Sequence, residues 1–75
     1  MGERGTPRLT ADQVIAVLRR NGFALAGQTG SHKKYRNADT GRQVIVAYHS
    51  GKVLPPGTMK SIVEGSGIAR SDWSN

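Results

Sequence analysis

The segment HKKYRNADTGRQVIVAY, residues 32–48, decides the fold because it predicts a β-hairpin. Successive side chains of a strand point to opposite faces, which divides HKKYRN into two sets: His32, Lys34 and Arg36 on one face, and Lys33, Tyr35 and Asn37 on the other. The segment RQVIVAY is apolar and β-branched, as strands prefer, and NADTG between the two is a favourable turn sequence. The two segments are therefore expected to pair as antiparallel strands.

One helix is predicted on each side of this region. In LTADQVIAVLRRNGF, Thr10 suits the N-cap and Gln13 is placed to complete a capping box, which satisfies backbone donors at the helix start. Apolar residues then recur at helical spacing as far as Leu18, and Gly22 is placed to end the helix in the left-handed conformation. The segment GTMKSIVEGSGI repeats this pattern after the prolines of LPPG and is expected to end at Gly67.

The segment FALAGQ, which begins at Phe23, is predicted to be a further strand, so the element order is α-β-β-β-α. Two amphipathic helices and one short meander are most economically arranged as an α+β fold, in which both helices cover one face of a three-stranded antiparallel sheet. The strand side chains expected to point into the core are Phe23, Leu25, Tyr35, Val44 and Val46. His32, Lys34 and Arg36 would then share the open face of the sheet.

The chain is long enough for one small domain with a thin core, because it has 75 residues. The opening MGERGTPR has no apolar periodicity, so residues 1–8 are predicted to be a flexible lead-in. Residues 9–75 are predicted to form a single domain, which includes a short C-terminal tail at 69–75 where Trp73 would anchor a turn.

The composition is strongly basic, with 11 Lys and Arg against 5 Asp and Glu and a net charge of +6. Such a charge attracts nucleic acid, and although basic residues also serve solubility alone, their clustering around residues 33–42 favours nucleic acid. The chain has no cysteine and no paired histidines at metal-binding spacing, so neither a metal nor a cofactor is expected. No segment has the pattern of a signal peptide or membrane span, so we expect a cytoplasmic protein without a membrane partner.

Histidine is the side chain whose chemistry suits neutral pH. An imidazole titrates at about pH 6.5, so it can accept or donate a proton near neutral pH. RNA carries its own nucleophile in the 2′-OH. One histidine beside phosphate-binding cations can therefore cleave RNA without a metal. His32 fits this role, with Gly30 and Ser31 as a supporting loop that a phosphate can approach, but the residues alone favour a plain polar strand position over a catalytic one. His49, with Lys52 beyond it, is a possible second functional imidazole, although the pattern favours a loop residue.

The clustered cations are Lys33, Lys34, Arg36 and Arg42. They allow two interpretations: they bind RNA phosphates, or they are simply the solvent-exposed charges of a hairpin. Regular alternation turns Lys33 away from His32, which makes Lys34 and Arg36 the stronger candidates. Because Tyr35 is expected to point inward, it is not available to stack on bases, so phosphate contact with weak sequence preference is expected.

Three segments together resemble the HicA-type mRNA interferase toxins of bacterial type II toxin–antitoxin systems: RNGFALAGQTGSHKKYRN, RQVIVAYH and LPPGTMKSIVEGSGI. The resemblance extends from about residue 9 to residue 68, and its most specific elements are the GSH motif ending at His32 and the GTMKSI start of the second helix. It implies a double-stranded-RNA-binding-domain-like fold and a metal-independent endoribonuclease that cuts mRNA with His32 as catalytic residue. It further implies that a HicB-like antitoxin covers this face. The sequence departs from the family at Ala47, where the family commonly has proline, and in its N-terminal lead-in.

Two other interpretations are compatible with the residues. A non-catalytic RNA-binding module would share the basic patch and the fold, and would bind RNA in a salt-sensitive way without cutting it. A small protein-interaction domain would use the same cations to bind an acidic partner.

Overall fold

The computed structural model describes residues 7–73 of the chain and has the order α1 (Ala11–Arg20), β1 (Phe23–Thr29), β2 (His32–Asn37), β3 (Gln43–Ala47) and α2 (Pro56–Ser66). A short 3₁₀ turn, Arg70–Trp73, follows. The predicted α-β-β-β-α order is confirmed. Residues 1–6 of the predicted lead-in and residues 74–75 of the predicted tail lie outside the described residues. Within residues 7–73, no helix has the length and apolar character needed to cross a membrane.

Helix α1 begins and ends as its local sequence predicts. The Gln13 N–H donates to the Thr10 hydroxyl over 3.2 Å, while the Thr10 N–H donates to the Gln13 side chain over 2.9 Å, which completes the capping box. Gly22 follows the helix with φ 88°, a left-handed conformation that only glycine adopts without strain. The chain therefore turns directly from α1 into β1.

The sheet is antiparallel in the order β1-β2-β3, so β2 lies in the centre. Tyr35 of β2 lies opposite Leu25 of β1 and Val44 of β3. The β1–β2 register shifts between Leu25 and Gly27, which marks a β-bulge, whereas the β2–β3 register is regular. The predicted hairpin between β2 and β3 is confirmed.

Both helices pack on one face of the sheet, and four of the five strand residues predicted to be inward are buried there: Phe23, Tyr35, Val44 and Val46. The prediction for Leu25 was wrong, since its side chain is 47% exposed. Leu25 lies opposite Tyr35 and therefore on the helix side, but β1 is an edge strand and the helices do not cover this position. Alternation assigns a face of the sheet, whereas coverage depends on where the helices lie.

The second helix is bounded by proline and glycine, as predicted. Pro55 is the N-cap, Pro56 occupies the first helical position, and Gly67 ends the helix with φ 70°. The chain then enters the 3₁₀ turn, where Trp73 is only 1% exposed and belongs to the core. The prediction that Trp73 anchors a short terminal turn is thereby confirmed.

Candidate functional site

Strand β2 alternates between exposed cationic or imidazole side chains and inward-pointing ones. His32, Lys34 and Arg36 are exposed, while Tyr35 and Asn37 between and beyond them are buried. The division of this strand that the sequence predicts is therefore confirmed. The outward set lies on the face of the sheet opposite the two helices.

The three outward side chains form a row along the central strand. Because a strand rises by about 3.3 Å per residue, Lys34 lies roughly 7 Å and Arg36 roughly 13 Å from His32 along the backbone. These spacings are similar to the separation of neighbouring phosphates in a nucleic-acid strand, so an extended polyanion laid along β2 meets each side chain in turn. The adjacent strands add no acidic side chain to this face, because His32, Lys34 and Arg36 lie opposite Ala47, Ile45 and Gln43 on β3.

The Gly30-Ser31 dipeptide forms the two-residue turn of the β1–β2 hairpin and presents His32 at the first position of β2. Gly30 has φ 58°, as the first residue of a type II′ turn requires. The Ser31 carbonyl accepts from the Tyr48 N–H over 2.7 Å, and the Gly30 carbonyl accepts from the Gln28 side chain over 3.0 Å. These contacts hold the turn, while a Cβ added at Gly30 would have no neighbour within 4 Å. Space around Gly30 is therefore open to a ligand.

Lys33 lies on the helix side of β2, away from His32. Its ammonium group is 4.0 Å from the centroid of the Tyr48 ring, a cation–π contact, and the Tyr48 hydroxyl donates to an Asp12 carboxylate oxygen over 3.3 Å. Asp12 belongs to the first turn of α1. Through Tyr48, Lys33 therefore helps to connect β2 with α1. It does not belong to the row of outward side chains.

Arg42 lies at the far end of the sheet from His32. Arg42 is paired with Asn37, whose N–H donates to the Arg42 carbonyl over 2.9 Å. Asn37 is five residues from His32 along β2, which corresponds to roughly 17 Å. The Arg42 guanidinium donates to the Gly65 carbonyl in the last turn of α2 over 3.4 Å. A cation at the negative end of a helix dipole is stabilising, so Arg42 has a structural role.

His49 and Lys52 are exposed and lie in the turn after β3. The Lys52 N–H donates to the His49 carbonyl over 3.1 Å, and Gly51 between them has φ 76°, as the third residue of a type II turn requires. Because Ala47 lies opposite His32 and the Tyr48 N–H bonds to Ser31, the ladder continues for one residue beyond β3. Tyr48 lies opposite Ser31, and His49 is the next residue, so it lies beside the turn that presents His32.

The face on which the His49 side chain emerges follows from its neighbour. Tyr48 contacts Lys33 and Asp12, so its ring lies on the helix side of the sheet. Alternation of an extended chain directs the next side chain to the opposite face, which is the face of His32. We therefore expect the His49 side chain to emerge on the side of the sheet that carries His32.

Two structural residues near the site were not predicted from the sequence. Tyr48 joins Lys33 to α1, and nothing in the local sequence indicated that contact. Asn37 organises the turn after β2 through its side chain, and here the pattern of Asn followed two residues later by Asp39 was an available signal for an Asx turn. The Gly-Ser dipeptide was likewise an available signal for a two-residue hairpin turn.

Acidic side chains capable of binding a cation are scattered. Among residues 7–73, no group of three or more His, Cys, Asp and Glu side chains is arranged to hold a metal ion.

Comparison with known protein families identifies the family of this chain. The family model for the HicA toxin of bacterial toxin–antitoxin systems matches residues 11–68 of the 75-residue chain. The matched region contains all of α1, β1, β2, β3 and α2. No curated protein matches the sequence.

Proposed function

The chain belongs to the HicA toxin family, and from this premise we propose that it is an endoribonuclease that cleaves mRNA without a metal ion, through His32. The observation that carries the proposal is the shared exposed face of His32, Lys34 and Arg36 on the central strand. An imidazole and two cations in one row supply a proton acceptor and a phosphate grip.

In the proposed reaction, His32 acts as general base. Its neutral imidazole accepts the proton of a ribose 2′-OH, and the 2′ oxygen attacks the adjacent phosphorus. The bond from phosphorus to the 5′ oxygen of the next nucleotide breaks, and that oxygen takes a proton as it leaves. The products are a 2′,3′-cyclic phosphate and a 5′-hydroxyl, and no oxidant, reductant or water is consumed in this step.

Lys34 and Arg36 are assigned to the phosphates. Fixed cations near the reacting phosphate stabilise the negative charge that develops on its non-bridging oxygens, and cations further along the strand hold the neighbouring phosphates. Lys34 is the nearer of the two to His32. Neither Arg42, which binds the end of α2, nor Lys33, which packs against Tyr48, is assigned to the RNA.

The protonated imidazole required by the leaving group is assigned to His49. One histidine that has just accepted a proton can deliver it only after reorienting, whereas two imidazoles on one face divide the work between a base and an acid. The ladder contact of Tyr48 with Ser31 carries this assignment, because it sets the turn containing His49 beside the turn that presents His32. Gly30 and Ser31 shape the approach without taking part in proton transfer.

The primary test of the proposal is cleavage of a labelled mRNA fragment in excess EDTA. We expect the wild-type protein to cleave and His32→Ala to lose activity by at least about a hundredfold, the usual contribution of a general base. Ser50→Ala, a change at an exposed position in the neighbouring turn, is the matched control and should retain activity. Equal cleavage by His32→Ala and wild type would refute the assignment.

The role of His49 is tested with a substrate whose leaving group needs no proton. RNA with sulfur in place of the bridging 5′ oxygen releases a thiolate, so loss of a general acid hardly slows its cleavage. We expect His49→Ala to be slow on ordinary RNA and close to wild type on the sulfur-substituted RNA, with His32→Ala slow on both. If His49→Ala is slowed equally on the two substrates, His49 is not the acid.

The second candidate function is a non-catalytic RNA-binding module, which the same row of cations favours. It is distinguished by RNA that stays intact at high protein concentration while binding weakens steeply with salt. Under either function, we propose that a HicB-like antitoxin neutralises the protein by covering the face of His32. Cleavage or binding that persists in the purified toxin–antitoxin complex would contradict this.

A further inference from the structure

We propose that the outer edge of β3 receives an extended strand from an acidic partner protein, which adds a fourth strand to the sheet. The edge is defined by the backbone groups of Gln43, Ile45 and Ala47. This inference rests on the proposed antitoxin partner, but it does not depend on whether the chain cleaves RNA.

The direction of the β3 backbone groups follows from two hydrogen bonds at the ends of the hairpin. Asn37 is bonded to the Arg42 carbonyl and Tyr48 to the Ser31 carbonyl, which shows that the even-numbered residues from 42 to 48 face β2. The N–H and C=O groups of Gln43, Ile45 and Ala47 consequently point outward. No hydrogen bond within residues 7–73 engages them. Three residues at alternate positions therefore offer donors and acceptors to another strand.

The two edges of the sheet differ in protection. Proteins shield edge strands with bulges, prolines or charged side chains, because an unshielded edge pairs with other chains. The β1 edge has a bulge between Leu25 and Gly27. Strand β3 has a regular register, no proline and no charged residue, and its Ile45 side chain is 47% exposed. Of the two edges, β3 is the one suited to pairing.

Helix α2 packs beside β3 and provides a wall for the added strand. A groove of about 370 Å³ lies between them, and it is lined by Gln43, Val44, Ile45, Thr58, Ser61, Ile62 and Gly65. The helix residues that line it are mostly small, which leaves room for side chains of an incoming strand. A strand paired with β3 would place alternate side chains in this groove, and the remaining ones on the open face beside Ile45.

The charge on the open face indicates an acidic occupant. Lys34 lies opposite Ile45 and Arg36 lies opposite Gln43, so a strand added outside β3 runs about 10 Å from both cationic positions. Carboxylates on its open-face positions come within reach of these long side chains. A second copy of this chain is disfavoured because each copy has a net charge of +6. An RNA strand is also disfavoured at the edge, because its backbone lacks the alternating donors and acceptors of a peptide.

Hydrogen exchange tests the proposal, with a co-purified HicB-like antitoxin as the probe. In the free protein, the amides of Gln43, Ile45 and Ala47 should exchange fast, and in the complex they should slow at least about a hundredfold. The Leu25 amide is the internal control, because this residue has the same 47% exposure on the other edge and should stay fast. Edge amides that exchange as fast in the complex as in the free protein would overturn the proposal.

Two pairs of variants provide an independent measurement by titration calorimetry. Ile45→Pro removes one outward N–H without touching the ladder to β2, and Leu25→Pro does the same at the β1 edge. Ile45→Glu and Leu25→Glu repeat the comparison without altering the backbone, because a carboxylate at position 45 repels those of an acidic strand added beside it. We expect each Ile45 change to weaken antitoxin binding by about tenfold or more and each Leu25 change by less than about twofold. Equal effects at both edges would refute the assignment.

Three other results of these experiments would also contradict the proposal. Edge protection that rises with protein concentration in the absence of antitoxin would assign the edge to a second copy and overturn the acidic partner. Protection produced by a single-stranded RNA of about 20 nucleotides would assign it to nucleic acid. Failure of the antitoxin to bind the wild-type protein would likewise contradict the proposal.

Discussion

The side chain of Asn37 should contribute a large share of the stability of this protein. It is 8% exposed and makes three hydrogen bonds: its amide donates to the Asn21 carbonyl over 2.9 Å, and its Oδ1 accepts from Asp39 N–H over 2.8 Å and Thr40 N–H over 3.1 Å. One residue thus ties the end of α1 to the turn between β2 and β3.

The expected cost of Asn37→Ala follows from these bonds. Each is worth about 1 kcal/mol net, so losing all three should reduce the free energy of unfolding by about 3 kcal/mol. For a chain of this length the total free energy of unfolding is about 4–11 kcal/mol. A loss of about 3 kcal/mol should therefore lower the melting temperature by roughly 15 °C. Asn37→Asp retains both acceptor contacts and loses only the donor, so it should cost about 1–2 kcal/mol.

Urea unfolding followed by circular dichroism measures these values. A pure stability effect lowers the urea midpoint and leaves the slope of unfolding free energy against urea concentration unchanged. Asn21→Ala is the control, because it removes the bond from the Asn21 side chain to the Val17 carbonyl but leaves the backbone carbonyl that Asn37 uses. It should cost about 1 kcal/mol. A loss below about 1 kcal/mol for Asn37→Ala, or an Asn37→Asp loss equal to it, would refute the reasoning.

Three further predictions concern the core, a helix end and the cationic row. Trp73 is 1% exposed, so Trp73→Ala should cost about 3–5 kcal/mol and leave much of the protein unfolded at 37 °C by calorimetry, while Trp73→Phe should cost less than half as much. Gly67→Ala should destabilise by about 1–2 kcal/mol, because φ is 70° and the new Cβ would lie 2.7 Å from Arg42 Nε; Gly57→Ala, which meets no neighbour, should not. Lys34→Ala should lower the slope of log RNA affinity against log salt by about one, whereas Lys60→Ala on α2 should leave it unchanged.

The local features of the fold were readable from the sequence because their causes are local. The capping box of Thr10 and Gln13, the proline entry to α2 and the glycine ends of both helices each depend on residues within one turn of the chain. The alternation of β2 was equally readable, since Tyr35 is the one large aromatic in a run of cations. These features suffice for the element order and for the row that begins at His32.

The candidate site was only partly readable. The sequence groups Lys33 and Arg42 with the other cations, but Lys33 packs on Tyr48 and Arg42 binds the end of α2. Their partners are distant in sequence, so no local pattern could indicate them. The position of His49 beside the turn of His32 also depends on a long-range contact, between Tyr48 and Ser31.

Sequence by itself determined the elements, their order and the face on which each residue of β2 and β3 lies, because capping, turn formation and alternation act between near neighbours. In β1 the bulge after Leu25 shifts the alternation, and only the structure shows it. Tertiary structure alone decided which of those residues are covered. Leu25 and Ile45 lie on opposite faces of the sheet, yet both are 47% exposed, since the helices do not cover Leu25 on β1 and Ile45 faces away from them. Coverage depends on how two helices pack against a twisted sheet, and that packing is settled by contacts between residues far apart in the chain.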